Sequence, residues 1–383
     1  MNLCLLVTQY EPAGAQKIAI GQANYLHRRG HRVMLCFFYD KTGQLPALQK
    51  KLPFPVINLE GKQEGQSRLE NGLRAGRALW RLFWLLRQHQ VNAIETLTHY
   101  SNVLGIPIAW LAGVPARVAS QRNSLPDFPP WFHRLDSWLV NSRLVTKMVA
   151  VSAETRRFCL EVEGMRPEKV VVIGNGIDPA GYAPPDNQHI RRLQATFNLP
   201  PWANVITTIA RLHPQKGHTF LIKAAPTILE EYPETIFLLV GDGPLRQALT
   251  CQIKEAELTH AFRLVGWQED ITAILSLSDM LVLPSLYEGM PNVVLEAMSG
   301  RVAVVATAVD GTSDVVADGQ TGLLLPPGNV PALANAIKQL LADPGRRRAM
   351  GAAGYQRVLD HFSEQVMYQQ YEQLLSEAYG QGK

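Results

Sequence analysis

The stretch Met280–Glu296, MLVLPSLYEGMPNVVLE, reads as a strand, a turn and a helix start in direct succession. Met280 to Pro284 is a short apolar run suited to a buried strand, and Ser285-Leu-Tyr-Glu-Gly then turns the chain. Pro291 falls where a helix would have its first residue, a position that proline fits because its fixed φ is already helical and its missing N–H needs no partner there. The amides of Asn292, Val293 and Val294 are then predicted to point outward, toward an anion. Glu288 sits in the turn and Glu296 about a turn and a half into the helix, too far apart to grip one small group together. They can bracket a long ligand: Glu288 at a sugar hydroxyl, the helix N-terminus at phosphate, and Glu296 at the paired hydroxyls of a ribose. Two solvated glutamates flanking a helix cap would carry the same motif.

A second stretch points the same way. Val205 to Ala210, VITTIA, is a buried-strand run, followed by Arg211-Leu-His-Pro-Gln-Lys216-Gly217 and a helical pattern through Ala224, Ala225 and Ile228. Two cations and a glycine therefore stand in a loop leaving a strand, the edge at which open parallel sheets bind ligands. A nucleoside diphosphate leaving group carries about two negative charges, which Arg211 and Lys216 can match without a metal. A solvated basic turn is the plain alternative.

Taken in order, these motifs resemble the large family of retaining glycosyltransferases numbered four. The residues that carry the likeness are Gly14, Val151-Ser152, Gly174-Asn175-Gly-Ile-Asp178, Ala210-Arg211 with Lys216-Gly217, Val240-Gly-Asp-Gly243-Pro-Leu-Arg246, the Glu288/Glu296 motif and Asp318-Gly-Gln-Thr-Gly-Leu323. The resemblance runs nearly end to end. It implies the GT-B fold, an α/β architecture of two facing Rossmann-like domains with parallel sheets and a C-terminal helix crossing back to the first domain. It also implies domains at 1–178, for the acceptor, and 179–357, for the nucleotide-sugar donor, with a C-terminal helix over about 358–383 completing the first. Arg211, Lys216, Glu288 and His99 are its expected catalytic residues. Gly14, Asn175, Gly243, Gly289, Met290, Pro291, Asn292, Val293 and Glu296 are expected on the donor. A histidine after a strand of the first domain is common in the family, and His99 stands at about that place, with Tyr100 as a rival register and a plain loop residue as the alternative. Arg122 is expected on the acceptor side or at donor phosphate, against the reading of a surface arginine. Departures include Ala13 beside Gly14 and Asp310-Gly311 with Asp314, where the family usually has glycine pairs and a glutamate.

Length and composition fit two domains. The chain has 383 residues, 46% of them hydrophobic, enough for two substantial cores. Val103 to Ala116, with Pro107 inside, is too short for a membrane span and reads as a buried helix. Met1 to Val7 reads as a first strand rather than a signal peptide, because it lacks a basic start and cleavage site. Cys4, Cys36, Cys159 and Cys251 have no metal or redox spacing and read as reduced core residues of a cytosolic protein. Strand and helix patterns alternate from Leu3 to Val7, Ile18 to Leu26 and Val33 to Phe38, then restart at Val205 after the proline pairs 184–185 and 200–201, which read as linker or loop. Tyr355 to Tyr379 has helical spacing.

Rival chemistries fall on particular residues. Arg246 occupies the third-glycine place of a dinucleotide fingerprint, which disfavours a nicotinamide enzyme, and no Walker loop exists. No Asp-x-Asp pair is present either, so transfer is expected to need no metal and no cofactor beyond the donor itself. A non-catalytic nucleotide-sugar binder, a GT-B epimerase and a phosphorylase stay open.

Residues 1 to 178 hold 22 Lys and Arg against 13 Asp and Glu, a net of +9, and residues 179 to 383 hold 15 against 20, a net of −5, which together give the +4 of the chain. A basic first half joined to an acidic second half points to an anionic partner on the acceptor side: a lipid-diphosphate-linked acceptor, an anionic membrane surface, or an acidic saccharide. Together with the family resemblance it implies a setting in cell-envelope or exopolysaccharide assembly, at the inner face of a membrane. Arg74 to Arg87, RAGRALWRLFWLLR, reads either as a core helix or as one with a membrane-facing side. Nucleic acid is disfavoured, because the basic residues are dispersed.

Overall fold

A computed structural model describes residues 1–11, 14–122 and 130–381. The chain divides into two units, residues 1–175 with 365–383 and residues 176–364. The sequence motif Gly174-Asn175-Gly-Ile-Asp178 straddles this division, next to the 178/179 border expected from sequence.

In the first unit the strands are β1 (Asn2–Tyr10), β2 (Arg32–Asp40), β3 (Val56–Asn58), β4 (Ala93–Thr96), β5 (Ala116–Gln121), β6 (Lys147–Ala150) and β7 (Val170–Val172). The helices are α1 (Gly14–Arg28), α2 (Leu45–Gln49), α3 (Arg68–Gln88), α4 (His99–Leu111), α5 (Pro130–Asn141) and α6 (Ala153–Glu161). The sheet order is β3-β2-β1-β4-β5-β6-β7, with parallel pairings throughout. Its strands are covered on both faces, which is why they read as near-continuous apolar runs. Along β1, Leu3, Leu5 and Val7 face α1, while Cys4 and Leu6 face α3 and α4.

The second unit contains α7 (Asn187–Thr196), β8 (Asn204–Ile209), α8 (His218–Leu229), β9 (Thr235–Val240), α9 (Arg246–Glu255), β10 (Phe262–Gly266), α10 (Ile271–Ser276) and β11 (Met280–Leu283). It continues through α11 (Asn292–Ser299), β12 (Ala303–Thr307), α12 (Asp310–Val315), β13 (Gly322–Leu325), α13 (Val330–Ala342) and α14 (Pro344–His361). The parallel sheet runs β10-β9-β8-β11-β12-β13. In each unit the chain builds outward on one side of its first strand and then returns to the other side. The order reverses between β1 and β4 in the first unit and between β8 and β11 in the second.

Several expectations change. The segment from Tyr355 to Tyr379 is two helices: α14 ends at His361, and α15 (Glu364–Gln381) starts after a break at Phe362 and Ser363. From Gln365 on, the chain belongs to the first unit, where Met367, Tyr368 and Tyr371 join the α1 side of the core. The proline pairs 184–185 and 200–201 lie in loops, as expected, and α7 lies between them. Val103 to Ala116 spans the end of α4, a turn and the start of β5, and Trp110 and Leu111 are exposed. Cys251 is exposed rather than in the core, because it lies on the outer side of α9. Cys4 and Cys36, distant in sequence, lie with their sulfurs 4.0 Å apart across the paired strands β1 and β2. Among the described residues, no helix is long and apolar enough to cross a membrane.

Candidate functional site: the loops leaving β8 and β11

Neighbouring strands whose connections run in opposite directions leave a crevice at their C-terminal ends, because no crossover covers it. In the second unit that crevice lies between the loops after β8 and β11, the two stretches singled out by sequence. Backbone and side-chain bonds zip the loops together. The Leu286 amide donates to the Gln215 carbonyl at 2.8 Å, and Gln215 Nε2 donates to the Tyr287 carbonyl at 2.8 Å. Gly217 makes this approach possible. Its φ is +66°, and a Cβ there would stand 2.0 Å from the Pro284 carbonyl oxygen.

The zipped loops bring Lys216 and Glu288 together. Lys216 Nζ lies 2.5 Å from Glu288 Oε1, which also accepts from Ser285 Oγ at 2.7 Å. The glutamate is 6% exposed, so its charge needs these partners. An ammonium has three N–H donors, and Glu288 takes one. Arg211 is exposed on the same loop. Behind Lys216, His218 is buried, with both ring nitrogens unbonded among the described residues. Burial first, and then the charge of Lys216, push its pKa down to about 4, so the imidazole is neutral at physiological pH.

Pro291 is the N-cap of α11 rather than its first helical residue, with φ −77° and ψ 102°. Its carbonyl accepts from the Val294 amide at 3.0 Å, which removes Val294 from the three amides expected to face an anion and leaves Asn292 and Val293 as the first residues of the helix. The Gly289 carbonyl accepts from the Gly311 amide at 3.0 Å, and a Cβ on Gly311 would meet that oxygen at 2.0 Å. The glycine at 311 thus holds the turn that carries Met290, which is itself buried. Gly243 lies against the β8 loop, where a Cβ would meet the Leu212 carbonyl oxygen at 2.5 Å.

Glu296, half-buried on α11, is hydrogen-bonded by Tyr182, whose pKa is raised first by burial and then by Glu296. Sequence reading did not single out Tyr182. An aromatic four residues after Asp178 was the one available signal.

The remaining candidates lie in the first unit. Gly14 opens α1 after β1, and His99 opens α4 after β4, so they flank that sheet's own reversal point. His99 is 9% exposed, and its Nδ1 lies 3.1 Å from Asp136 Oδ2 on α5. Asp136 is fully buried, as is the carboxyl of Glu163, which pairs with His133 at 2.8 Å. Arg122 is not a surface arginine. Its guanidinium donates to Asn175 Oδ1 at 2.9 Å and to the Tyr371 hydroxyl at 3.4 Å. Asn175, expected on the donor, is thus placed in the first unit beside Arg122. Close to this pair, Glu95 is 1% exposed and accepts from Gln22 Nε2 at 2.5 Å. Burial pushes its carboxyl up to about 7, against the opposing pull of Arg122 and Gln22. None of these partners could be read from sequence spacing, because each comes from a distant segment.

A cavity of about 410 Å³ opens at the opposite edge of the first sheet, lined by His27, His31, Arg32, Phe54 and His89 among others. The carbonyl ends of α1 and α3 point toward that edge, which disfavours an anion there.

Comparisons with known proteins identify the family. Residues 12–180 match the family described as Glycosyltransferase Family 4, and residues 190–357 match Glycosyl transferases group 1. The alpha-maltose-1-phosphate synthase of Mycolicibacterium smegmatis is 30% identical over 300 residues, covering 71% of this chain and 75% of that protein. The Escherichia coli UDP-Gal:alpha-D-GlcNAc-diphosphoundecaprenol alpha-1,3-galactosyltransferase is 29% identical over 279 residues, 70% of each chain. The crystal structure of Anabaena HepE in complex with UDP superposes with a TM-score of 0.85 at 23% identity, over 98% of this chain and 100% of that one. The chain belongs to the group 1 and family 4 glycosyltransferases, and its two Rossmann-like units are those of the GT-B fold.

Proposed function

We propose that this glycosyltransferase moves a hexose from a UDP-sugar to a hydroxyl of a saccharide or lipid-diphosphate-linked acceptor, with retention at the anomeric carbon and without a metal, in cell-envelope or exopolysaccharide assembly. The observation that carries the reading is the Lys216–Glu288 pair, held where the loops of β8 and β11 meet. Breaking the bond between the anomeric carbon and the diphosphate oxygen leaves positive charge on the sugar and negative charge on the departing oxygens. Lys216, Arg211 and the start of α11 at Asn292 and Val293 are on hand for the negative side, and donors fixed in advance of the reaction lower such a barrier by several kcal/mol. Glu288 keeps Lys216 in place and reaches a hydroxyl of the sugar, while Glu296, braced by Tyr182, takes the ribose. The acceptor hydroxyl attacks from the face the diphosphate leaves, and its proton passes to a departing diphosphate oxygen. His99, with Arg122 nearby, serves the acceptor side in the first unit.

The relatives' names favour this reading over a pure binder or an epimerase. The Escherichia coli relative is named for a UDP-sugar donor, a diphosphoundecaprenol-linked acceptor and an alpha linkage. A lipid-linked acceptor places the protein at the cytoplasmic face of a membrane, in peripheral contact with it. The test is incubation of UDP-hexoses with saccharide and lipid-diphosphate acceptors in the presence of EDTA. The expected result is acceptor-dependent UDP release and a new linkage of the donor's own anomeric configuration, read by proton coupling. Inversion, or interconversion of the donor sugar with no acceptor, would overturn the proposal.

A further inference from the structure

Helix α3 is apolar on two sides, and only one of them is used by the fold. Ala78, Leu82 and Leu86 are buried against Cys4, Leu6 and Ile94 of the first sheet. On the outward side, Leu69 is 77% exposed, Leu73 61%, Trp80 68% and Trp84 45%. The spacing of 69, 73, 80 and 84 puts these four on one helical face, over roughly 23 Å of helix at about 1.5 Å per residue. Arg68, Arg74, Arg77, Arg81 and Arg87 accompany that stripe, against Glu70 on the helix and Glu60, which pairs with Arg81 at 3.6 Å. Trp80 and Trp84 touch each other edge to face at 6.1 Å and reach no core residue through that contact. The next helix in the layer, α4, adds Trp110 at 50% and Leu111 at 57% exposure. A soluble surface does not gather large apolar side chains in this way without an occupant.

We infer that the outer face of α3 is a docking surface for an anionic lipid bilayer, along which the helix lies with Leu69, Leu73, Trp80 and Trp84 at headgroup depth and the arginines on lipid phosphates. Indole rings favour the bilayer interface because they pair an apolar body with one N–H, and arginine stems can lie along the apolar layer while their guanidiniums stay wet. A second copy of this chain is the wrong occupant, since pairing two such faces would bring five arginines against five. The inner face stays on the sheet, so docking needs no unfolding of the unit. The inference gives a surface to the peripheral setting proposed above and does not depend on the transfer chemistry.

The experiment floats the full chain with phosphatidylcholine vesicles, with and without phosphatidylglycerol, and repeats it with Trp80→Ser/Trp84→Ser, Trp80→Phe/Trp84→Phe and Arg74→Gln/Arg77→Gln. UDP binding by each variant serves as the control for folding and for the catalytic reading. The expected result is partition onto the anionic vesicles alone, weakened at least tenfold by the serine pair, largely restored by the phenylalanine pair, and made less salt-dependent by the glutamine pair. Absence of binding to anionic vesicles by the native chain, equal binding by the serine variant, or an outer face that instead mediates self-association in sedimentation velocity would each overturn it.

Discussion

The two units share one construction and use it differently. Each is a parallel sheet with a reversal of strand order, and each places some of its candidate residues just after the strands at that reversal: Gly14 and His99 in the first, Arg211, Lys216 and Glu288 in the second. In the second unit the loops are fastened to each other, with Arg211 exposed and the half-buried Lys216 paired to a buried Glu288. In the first unit the polar groups turn inward: His99 against Asp136, Arg122 against Asn175 and Tyr371, Glu95 against Gln22. A rim of preorganised charge suits a ligand with a constant part, such as a nucleoside diphosphate. An edge whose polar groups turn inward leaves specificity to loops and outer surfaces, which suits the more varied acceptor.

Breaking the rim should have the largest effect. Lys216→Ala is expected to lower the transfer rate by about 10²–10³, the scale of losing one preorganised donor to a developing anion. It also strands Glu288, so the fold should lose about 3 kcal/mol in urea unfolding. Adding Glu288→Gln should recover much of that stability and none of the rate, which separates the two roles of the pair.

Gly217→Ala tests the fastening itself. The left-handed backbone and the clash with the Pro284 carbonyl would push the loops apart. Stability should drop by about 1–3 kcal/mol, and UDP binding should weaken although no ligand contact is removed.

The two interiors should also answer pH with opposite signs. His218 has its folded pKa lowered from 6.5 to about 4, so the unfolded chain binds more protons between those values. Stability from this group is full above pH 6.5 and is lost as pH falls toward 4, on the order of 3 kcal/mol in all. Glu95 has its folded pKa raised from 4.5 to about 7, so its contribution is full below pH 4.5 and is lost as pH rises toward 7. Urea titrations across pH 4–8 should show His218→Gln removing the acid-side slope and Glu95→Gln removing the neutral-side one. A variant that leaves its slope unchanged would contradict the assignment of that group.

The contrast also explains what could be read from sequence. Buried parallel strands are continuous apolar runs, so VITTI and MLVL could be placed at once, and the loops that follow them were then known to lie at the ligand edge. Pro291 was misplaced by one residue because its φ satisfies both the N-cap and the first helical position, and only ψ separates them. The partners of His99 and Arg122 were invisible, since Asp136 and Tyr371 reach them from distant helices and nothing local marks a buried contact. Helix α3 was ambiguous for a different reason. Two apolar stripes on one helix give a periodicity that does not tell which stripe meets the sheet, and only packing decides.

The central claim is that Lys216 and Glu296 of the second unit hold the nucleoside diphosphate. Calorimetric titration with UDP and UDP-hexoses, without metal, of the native chain and of Lys216→Ala, Glu296→Ala and His99→Ala tests it directly. The expected result is at least tenfold weaker UDP binding in the first two variants and native affinity in the third. Native affinity in Lys216→Ala and Glu296→Ala, or a loss confined to His99→Ala, would contradict the account.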